Sequence, residues 1–200
     1  MLGIFLDTET NGLNPYKHKL IEIAFKLIDL KTGALQCEYQ AIVTTSFSEW
    51  EKSDPESLKV NGMAWLEVKN GKKADEVGQE IQKCLQEKNI QRGTSVFICQ
   101  NPSFDRIFFS QLVDSDVQEK LQWPYHWLDL ASMYWIDAIH KGNAGTGSYP
   151  WNTGLSKDNI ATALQLPGEA QPHRAMNGVD HLILCYTELV GFPENASSDI

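Results

Sequence analysis

Apolar and polar residues follow one another in blocks that predict strands first and strand–helix alternation later. Residues 2–7 and 20–27 are apolar runs of strand length, and Gly33 suits a turn into a third strand near residues 36–44. A continuous apolar run at residues 95–99 is typical of a central strand covered on both faces. Short turns between the first strands predict an antiparallel meander. The order of elements therefore predicts an α/β fold with a mixed sheet and helices on its faces.

Helical periodicity dominates the rest of the chain, interrupted by a Gly-, Ser-, Thr- and Asn-rich stretch at residues 142–154. That stretch predicts a mobile loop whose aromatic tip, around Tyr149 and Trp151, either contacts a ligand or packs on the protein. The predicted helices cover residues 74–88, a segment from about 103, residues 128–140, residues 156–165 with Ser156 as N-cap, and residues 175–190. Their predicted inward residues are Val77, Ile81, Cys84 and Leu85, then Phe104, Ile107, Phe108 and Leu112, and finally Val179, Leu182, Ile183, Tyr186, Leu189 and Val190.

The composition is that of one globular domain, expected at residues 1–192, with a disordered tail at 193–200. Met1 leads almost directly into the first strand and no apolar run is long enough to span a bilayer, so we expect a cytoplasmic protein without a membrane partner. The formal net charge of −9 argues against a broad surface that coats nucleic acid. It does not exclude an enzyme that acts on nucleic acid ends.

Two carboxylates stand at the end of the first predicted strand. Residues i and i+2 of a strand point to the same face, so Asp7 and Glu9 can converge on one point. Holding two like charges together is costly unless a cation compensates them, and carboxylate oxygens suit a divalent metal ion. The alternative is that Asp7 caps a turn and Glu9 is solvated, because acidic pairs are common at strand ends.

Two further positions carry candidate chemistry. Asn101, Phe104 and Asp105 follow the buried strand 95–99 and open a helix, where the helix dipole favours a carboxylate in the first turn. That interaction with the dipole is also the simplest alternative role for Asp105. His173 stands at the start of the last predicted helix, and a histidine there is most often an ordinary surface residue.

Taken together, these residues resemble the DEDDh branch of the DnaQ-like 3′–5′ exonucleases, in the ribonuclease H-like superfamily. Asp7 and Glu9 match the D-x-E motif of that family. Asn101, Phe104 and Asp105 match its N-x-x-F-D motif, and His173 matches the start of its H-x-x-x-x-D motif. The likeness extends from about residue 2 to about residue 190, with landmarks at residues 20–24, 60–63 and 127–130. It implies a mixed five-stranded sheet flanked by helices.

The resemblance also implies a two-metal mechanism, in which two Mg²⁺ or Mn²⁺ ions about 4 Å apart hold the scissile phosphate. Asp7 would bind both ions, Glu9 would bind one and contact the terminal 3′-hydroxyl, and Asp105 would support the second. His173 would accept the proton of the attacking water, which suits the intrinsic pKa of histidine. The implied contacts to the terminal nucleotide are Thr10, Leu13 and Met63, with Asn101 and Phe104 supporting the cleft wall. The implied partners are single-stranded DNA or RNA 3′ ends, together with a polymerase or another protein.

The chain departs from the family pattern at the fourth carboxylate. The family places it five residues after the histidine, and here that position is Gly178. Asp180 is two residues further on, which in a helix is a rotation of about 200°, so it is the less favoured substitute. A missing ligand would weaken metal binding and lower the rate. The chain is then an impaired exonuclease, a nuclease disarmed by substitution at Gly178, or an inactive exonuclease-fold module that binds nucleic acid ends or a protein partner. A scaffold with accidental motifs is the remaining alternative.

Overall fold

A five-stranded mixed sheet forms the centre of the protein, and the computed structural model describes residues 1–194. The strands are β1 (Leu2–Thr10), β2 (Leu20–Asp29), β3 (Leu35–Ile42), β4 (Ser95–Cys99) and β5 (Trp127–Asp129), in the spatial order β3-β2-β1-β4-β5. β1, β2 and β3 pair antiparallel, whereas β4 pairs parallel with both β1 and β5. The predicted meander and the predicted parallel strands are both confirmed, and β1 lies in the middle of the sheet.

Helices cover both faces of the sheet. They are α1 (Phe47–Trp50), α2 (Pro55–Asn61), α3 (Trp65–Val68), α4 (Ala74–Glu87), α5 (Pro102–Phe109), α6 (Ser115–Lys120), α7 (Leu130–Asn143), α8 (Pro150–Thr153), α9 (Lys157–Ala163) and α10 (Ala175–Leu189). Alternate residues of β1 face opposite layers, as the two-residue period of a strand requires. Ile4 and Leu6 pack with α4 and α5, whereas Phe5 packs with α7, α9 and α10.

Two predicted boundaries of sheet strands are corrected, one at the central strand β1 and one at the edge strand β5. β1 continues to Thr10, so Glu9 lies within the strand rather than after it. Residues 128 and 129, predicted as the start of a helix, belong to β5 instead. The Trp127 ring stacks on Phe97 of the neighbouring strand with 4.0 Å between ring centroids, and this packing holds the segment extended. Asp129 then caps α7 by accepting hydrogen bonds from the Ala131 and Ser132 amides.

Two predicted inward residues are in fact exposed. Ile107 in α5 is 42% exposed, because the helix turns Phe108 and Phe109 toward the core instead. Val190 is 51% exposed, because α10 ends at Leu189 and Val190 is only its C-cap. The predicted stripe of α4 is confirmed at Val77, Ile81 and Leu85, all fully or almost fully buried.

The predicted loop at residues 142–154 contains the short helix α8 beside its aromatic tip. Tyr149 stacks on Trp151 with 4.6 Å between ring centroids, while Trp151 remains 60% exposed. At the start of the predicted tail at 193–200, the Glu194 amide donates a hydrogen bond to the Lys31 carbonyl. Residues 195–200, the rest of that tail, lie outside the described residues. Within residues 1–194, no helix is long and apolar enough to cross a membrane.

Candidate active site

Asp7 and Glu9 extend from the middle strand toward one cleft. They lie two residues apart on β1, so both leave the sheet on the face against which α10 packs. β4 pairs only with residues 2–5 of β1, whereas β2 pairs with β1 along its whole length. The part of β1 that carries the two carboxylates therefore runs past the end of its pairing with β4, and the cleft opens there.

Asp105 reaches the same cleft from the start of α5. The turn that leads into this helix places Asn101 in a left-handed conformation, with φ of 58°. Asp105 then lies in the first turn of the helix and is 4% exposed. The hydroxyl of Thr8 donates a 2.8 Å hydrogen bond to its carboxylate and so ties α5 to β1. The predicted meeting of Asp105 with the β1 carboxylates thus has a specific structural link.

His173 lies on the opposite wall, two residues before α10. Its amide donates to the Val60 carbonyl at 3.1 Å, and its Nδ1 lies 3.2 Å from Oε1 of Glu169. The next residue, Arg174, uses its guanidinium to bind Glu22 of β2, and the Glu22 carboxylate also accepts the Ala175 amide at the start of the helix. The beginning of α10, and with it His173, is therefore fixed against the sheet.

A cleft of about 220 Å³ brings these groups together. Burial, followed by repulsion from Asp7, raises the pKa of Asp105 well above its ordinary value and raises the pKa of Glu9 to about 8. Within residues 1–194 the Glu9 carboxylate has no hydrogen bond or ion pair. The residues lining the cleft are Asp7, Thr8, Glu9, Gln100, Phe104, Asp105, Ser156, Lys157, Asp158, Glu169 and His173. Three carboxylates therefore meet here without full compensation of their charge.

Lys157 and Glu169 also belong to the site, although no sequence motif indicates them. Lys157 is the first residue of α9, and its ammonium donates to Asp7 Oδ1 at 3.3 Å, to the Gly178 carbonyl at 3.2 Å and to Glu169 Oε2 at 2.8 Å. Burial alone would lower the pKa of Lys157, but the carboxylates of Asp7 and Glu169 raise it above its ordinary value. Burial alone would raise the pKa of Glu169, but His181 and Lys157 hold it at about 2. Both groups are therefore charged at neutral pH.

Gly178 faces the Asp7 carboxylate, and Asp180 does not. A Cβ atom added at Gly178 would lie 2.3 Å from Oδ2 of Asp7, so the backbone of α10 is in close contact with that carboxylate. Asp180 is 55% exposed in its side chain and pairs with Lys26 on the outer side of α10. The structure therefore orients the two positions as the helical period predicts.

A second cavity, of about 310 Å³, adjoins the cleft at Thr8, Glu9 and Phe104. Of the residues predicted to contact a terminal nucleotide, Thr10 and Leu13 line this cavity. Met63 does not line it. Met63 is 4% exposed and packs with Ile21 and Val68, so its side chain belongs to a small core cluster.

Asn101 lines neither the cleft nor the adjoining cavity. Its side chain is exposed and accepts a hydrogen bond from the Ser103 hydroxyl at 2.7 Å. Phe104, by contrast, lines both, so it separates the acidic cleft from the second cavity. Of the two predicted wall supports, only Phe104 is therefore part of the wall.

The donor set fits a hard divalent cation in part. Among residues 1–194, no three histidine, cysteine, aspartate or glutamate side chains are already arranged around one metal position. One oxygen of Asp105 accepts a hydrogen bond from the Thr8 hydroxyl, and one oxygen of Asp7 accepts a hydrogen bond from the Lys157 ammonium. The unpartnered Glu9 and the second oxygens of Asp7 and Asp105 remain as carboxylate donors for one such ion. A second ion on the Gly178 side of Asp7 would meet the Lys157 ammonium.

A family model described as Exonuclease, RNase_T, matches residues 4–181. The chain belongs to the DnaQ-like exonuclease family. Its mixed five-stranded sheet with flanking helices is the ribonuclease H-like exonuclease fold, as the sequence predicts. No curated protein sequence is a significant match to this exonuclease-family chain.

Several solved structures share the fold of this exonuclease-family chain at low sequence identity. E. coli Exonuclease I in complex with a dT13 oligonucleotide is 14% identical, with a TM-score of 0.69 over 99% of this chain and 42% of its own. Cell-death related nuclease 4 (CRN-4) is 14% identical, with a TM-score of 0.70 over 96% of this chain and 65% of its own. A 3′-exonuclease described with a histone mRNA stem-loop is 12% identical, with a TM-score of 0.65 over 96% and 64%. The chain thus spans less than two thirds of each of these proteins, and the likeness does not support a polymerase partner.

Proposed function

We propose that this chain is a divalent-cation-dependent 3′–5′ exonuclease of the DEDDh type, with activity lowered by glycine at position 178. The observation that carries the proposal is the meeting of Asp7, Glu9, Asp105 and His173 around one cleft. These residues come from the start, the middle and the end of the chain. An accidental set of motifs would not converge in this way, so the scaffold alternative is disfavoured.

Each residue has a role that its position supports. Asp7, Glu9 and Asp105 would hold a Mg²⁺ or Mn²⁺ ion, which when bound supplies charge stabilisation for the scissile phosphate and lowers the pKa of a bound water. Nδ1 of His173 lies 3.2 Å from Glu169, so Nε2 is the nitrogen that would accept the proton of the attacking water. Glu9 lines both the cleft and the adjoining cavity, so it is placed to contact a terminal 3′-hydroxyl as well.

The adjoining cavity is the proposed site of the terminal nucleotide. Leu13, Val60 and Phe104 offer apolar surface for a base, and the Thr10 side chain lies beside them. Asp54 and Glu56 add negative charge to the same cavity. Together with the net charge of −9, they disfavour tight binding of a long anionic strand, so an end-directed activity fits better than binding along a strand.

The substrate class is single-stranded DNA or RNA with a free 3′ end. The neighbours support both polymers, since one is described with a dT13 oligonucleotide and another with a histone mRNA stem-loop. The two arms of the test are therefore a DNA and an RNA oligonucleotide of the same sequence. A difference in rate between the two would be due to the 2′-hydroxyl, which only the RNA strand carries.

The test is incubation of the full chain with 5′-labelled single strands and Mn²⁺. We expect shortening from the 3′ end, no shortening in excess chelator, and a loss of about a hundredfold or more for Asp105→Asn. Asp180→Asn is the matched control, because it removes a carboxylate that lies outside the cleft. If neither the DNA nor the RNA strand is shortened in Mg²⁺ or in Mn²⁺, the proposed exonuclease activity is refuted.

The second candidate function is a noncatalytic module that binds nucleic acid ends. The glycine at 178 and the Lys157 ammonium on Asp7 favour it, because both reduce the capacity for metal ions. Binding of the labelled strand without shortening, unaffected by chelator, would identify this function. Shortening at any measurable rate that Asp105→Asn abolishes would exclude it.

A further inference from the structure

The Lys157 ammonium is surrounded by three oxygen atoms beside the Asp7 side chain. Its partners are a carboxylate oxygen of Asp7, the backbone carbonyl of Gly178 and a carboxylate oxygen of Glu169. The side chain is 11% exposed, so little water reaches the charge. Carboxylate and carbonyl oxygens are also the ligands that hard divalent cations prefer. The ammonium therefore has the kind of surroundings that a metal ion would otherwise have.

Gly178 permits the position that Asp7 takes beside Lys157. A Cβ atom at position 178 would lie 2.3 Å from Oδ2 and 2.9 Å from Oδ1 of Asp7, inside van der Waals contact. Without that atom, Asp7 lies against the α10 backbone and the ammonium reaches the Gly178 carbonyl. At position 178, where a fourth carboxylate is missing, the Lys157 ammonium thus contacts both Asp7 and the helix backbone.

Glu169 keeps the ammonium from moving away. Its side chain is 2% exposed and lies among Lys157, His173 and His181. Among residues 1–194, Lys157 is the one permanently charged partner of this buried carboxylate. If the lysine left, Glu169 would stay buried without a permanent positive charge beside it, which costs far more than the loss of a surface ion pair.

We propose that Lys157 occupies the Gly178 side of Asp7 in place of one of the two divalent ions of a two-metal site, so that the protein binds a single divalent cation. The inference rests on the proposed function in that the remaining ion would lie among Asp7, Glu9 and Asp105. Lys157 acts through Asp7 and is a positioning residue. One ammonium supplies one positive charge where an ion would supply two, which accounts for a lowered activity.

The test is the number of Mn²⁺ ions that the full chain binds, measured by calorimetry and by electron paramagnetic resonance. We expect one ion in the wild type and two in Lys157→Ala, with the spectrum of an exchange-coupled pair about 4 Å apart. Lys157→Arg should remain at one ion because it keeps the positive charge. Lys141→Ala is the control, since Lys141 forms a partly exposed pair with Asp137 on α7, outside the cleft. Circular dichroism checks that each variant is folded.

Two ions or none in the wild type would overturn the inference, and so would a single ion in folded Lys157→Ala. The strand-shortening assay is a separate measurement. One bound ion without any shortening would refute the proposed exonuclease but leave the role of Lys157 intact. Strand shortening by a wild type that binds two ions would support the proposed exonuclease but refute the role of Lys157.

Discussion

Arg174 binds Glu22 through two hydrogen bonds, from Nε at 2.9 Å and from Nη2 at 2.8 Å. Glu22 is fully buried on β2, and the same carboxylate accepts the amide of Ala175. Burial alone would raise the pKa of Glu22, but Arg174 and the amide hold it below its ordinary value. This pair therefore fixes the first turn of α10, the helix that presents Gly178 to Asp7.

Loss of Arg174 should destabilise the whole domain. Arg174→Ala leaves the buried Glu22 carboxylate without its cation, and removing one partner of such a pair costs about 3 kcal/mol or more. Urea unfolding followed by circular dichroism measures the change. Lys59→Ala is the control, because Lys59 pairs with Glu56 on an exposed face and should cost less than about 0.5 kcal/mol. Equal effects of the two variants would contradict the structural role of the Arg174–Glu22 pair.

Restoring the fourth carboxylate alone should not restore a family-like site. In Gly178→Asp the new Cβ would overlap the Asp7 carboxylate, so Asp7 must rotate and release Lys157. We expect lower stability by about 1–3 kcal/mol, as for overpacking, and no gain in strand shortening. Gly178→Ala should cost a similar amount, which separates the steric effect from the added charge. A large gain in activity with Gly178→Asp would show that Asp7 moves freely.

Cation affinity should rise with pH up to about 8. Burial, then Asp7 and Glu22, raise the pKa of Glu9 to about 8, so at neutral pH most of this carboxyl group is protonated. A divalent cation needs the ionised form, and binding should release a proton below that pH and none well above it. Calorimetric Mg²⁺ titrations in buffers of different ionisation enthalpy measure this release. Glu9→Gln should abolish most of it, and a pH-independent affinity in the wild type would contradict the raised pKa.

The same raised pKa sets a trend in metal-free stability. Because the folded protein holds the Glu9 proton more tightly than the unfolded chain, this residue favours folding at low pH. Its contribution is lost as pH rises from about 4.5 toward about 8. A plot of unfolding free energy against pH for wild type and Glu9→Gln should therefore diverge in that window. Added Mg²⁺ should reduce the difference at the alkaline end.

Glu169 should stabilise the protein in the opposite direction. His181 and Lys157 outweigh its burial and hold its pKa at about 2, against 4.5 for an ordinary glutamate. Its contribution is complete above about 4.5 and is lost as pH falls toward about 2, with a total of up to about 3 kcal/mol. Acid unfolding of wild type and Glu169→Gln tests this. Glu188→Gln, an exposed change on α10, should leave the acid transition in place.

The local parts of the site could be predicted from the sequence because they follow from helix and strand periods. Asp7 and Glu9 share a face of β1 because they are two residues apart, and Gly178 and Asp180 point in different directions because α10 turns about 100° per residue. The position of Asp105 followed from a helix that starts directly after a buried strand. None of these required knowledge of a distant contact.

Lys157 and Glu169 could not be found in this way, because their meeting depends on the path of the chain between α9 and α10. In sequence, Lys157 is an ordinary lysine after the N-cap Ser156, and Glu169 stands in a stretch without periodicity. The only local signal is that Glu169 precedes His173 by four residues, and this segment is not helical. The core position of Met63 could not be predicted either, because the burial of a loop residue depends on the tertiary position of the loop. Strand β5 was not predicted because three residues are too few to show a period.

The two halves of the site have different architectural origins. Asp7 and Glu9 belong to the central strand, whose backbone is paired with neighbours and leaves little freedom to change. Lys157, Glu169 and His173 belong to the start of one helix and to the irregular segment that leads to the next. Substitutions in that segment can alter how the acidic strand is neutralised while the sheet stays as it is. In the proposed site, a lysine takes the place of a metal ion while the central strands keep their positions.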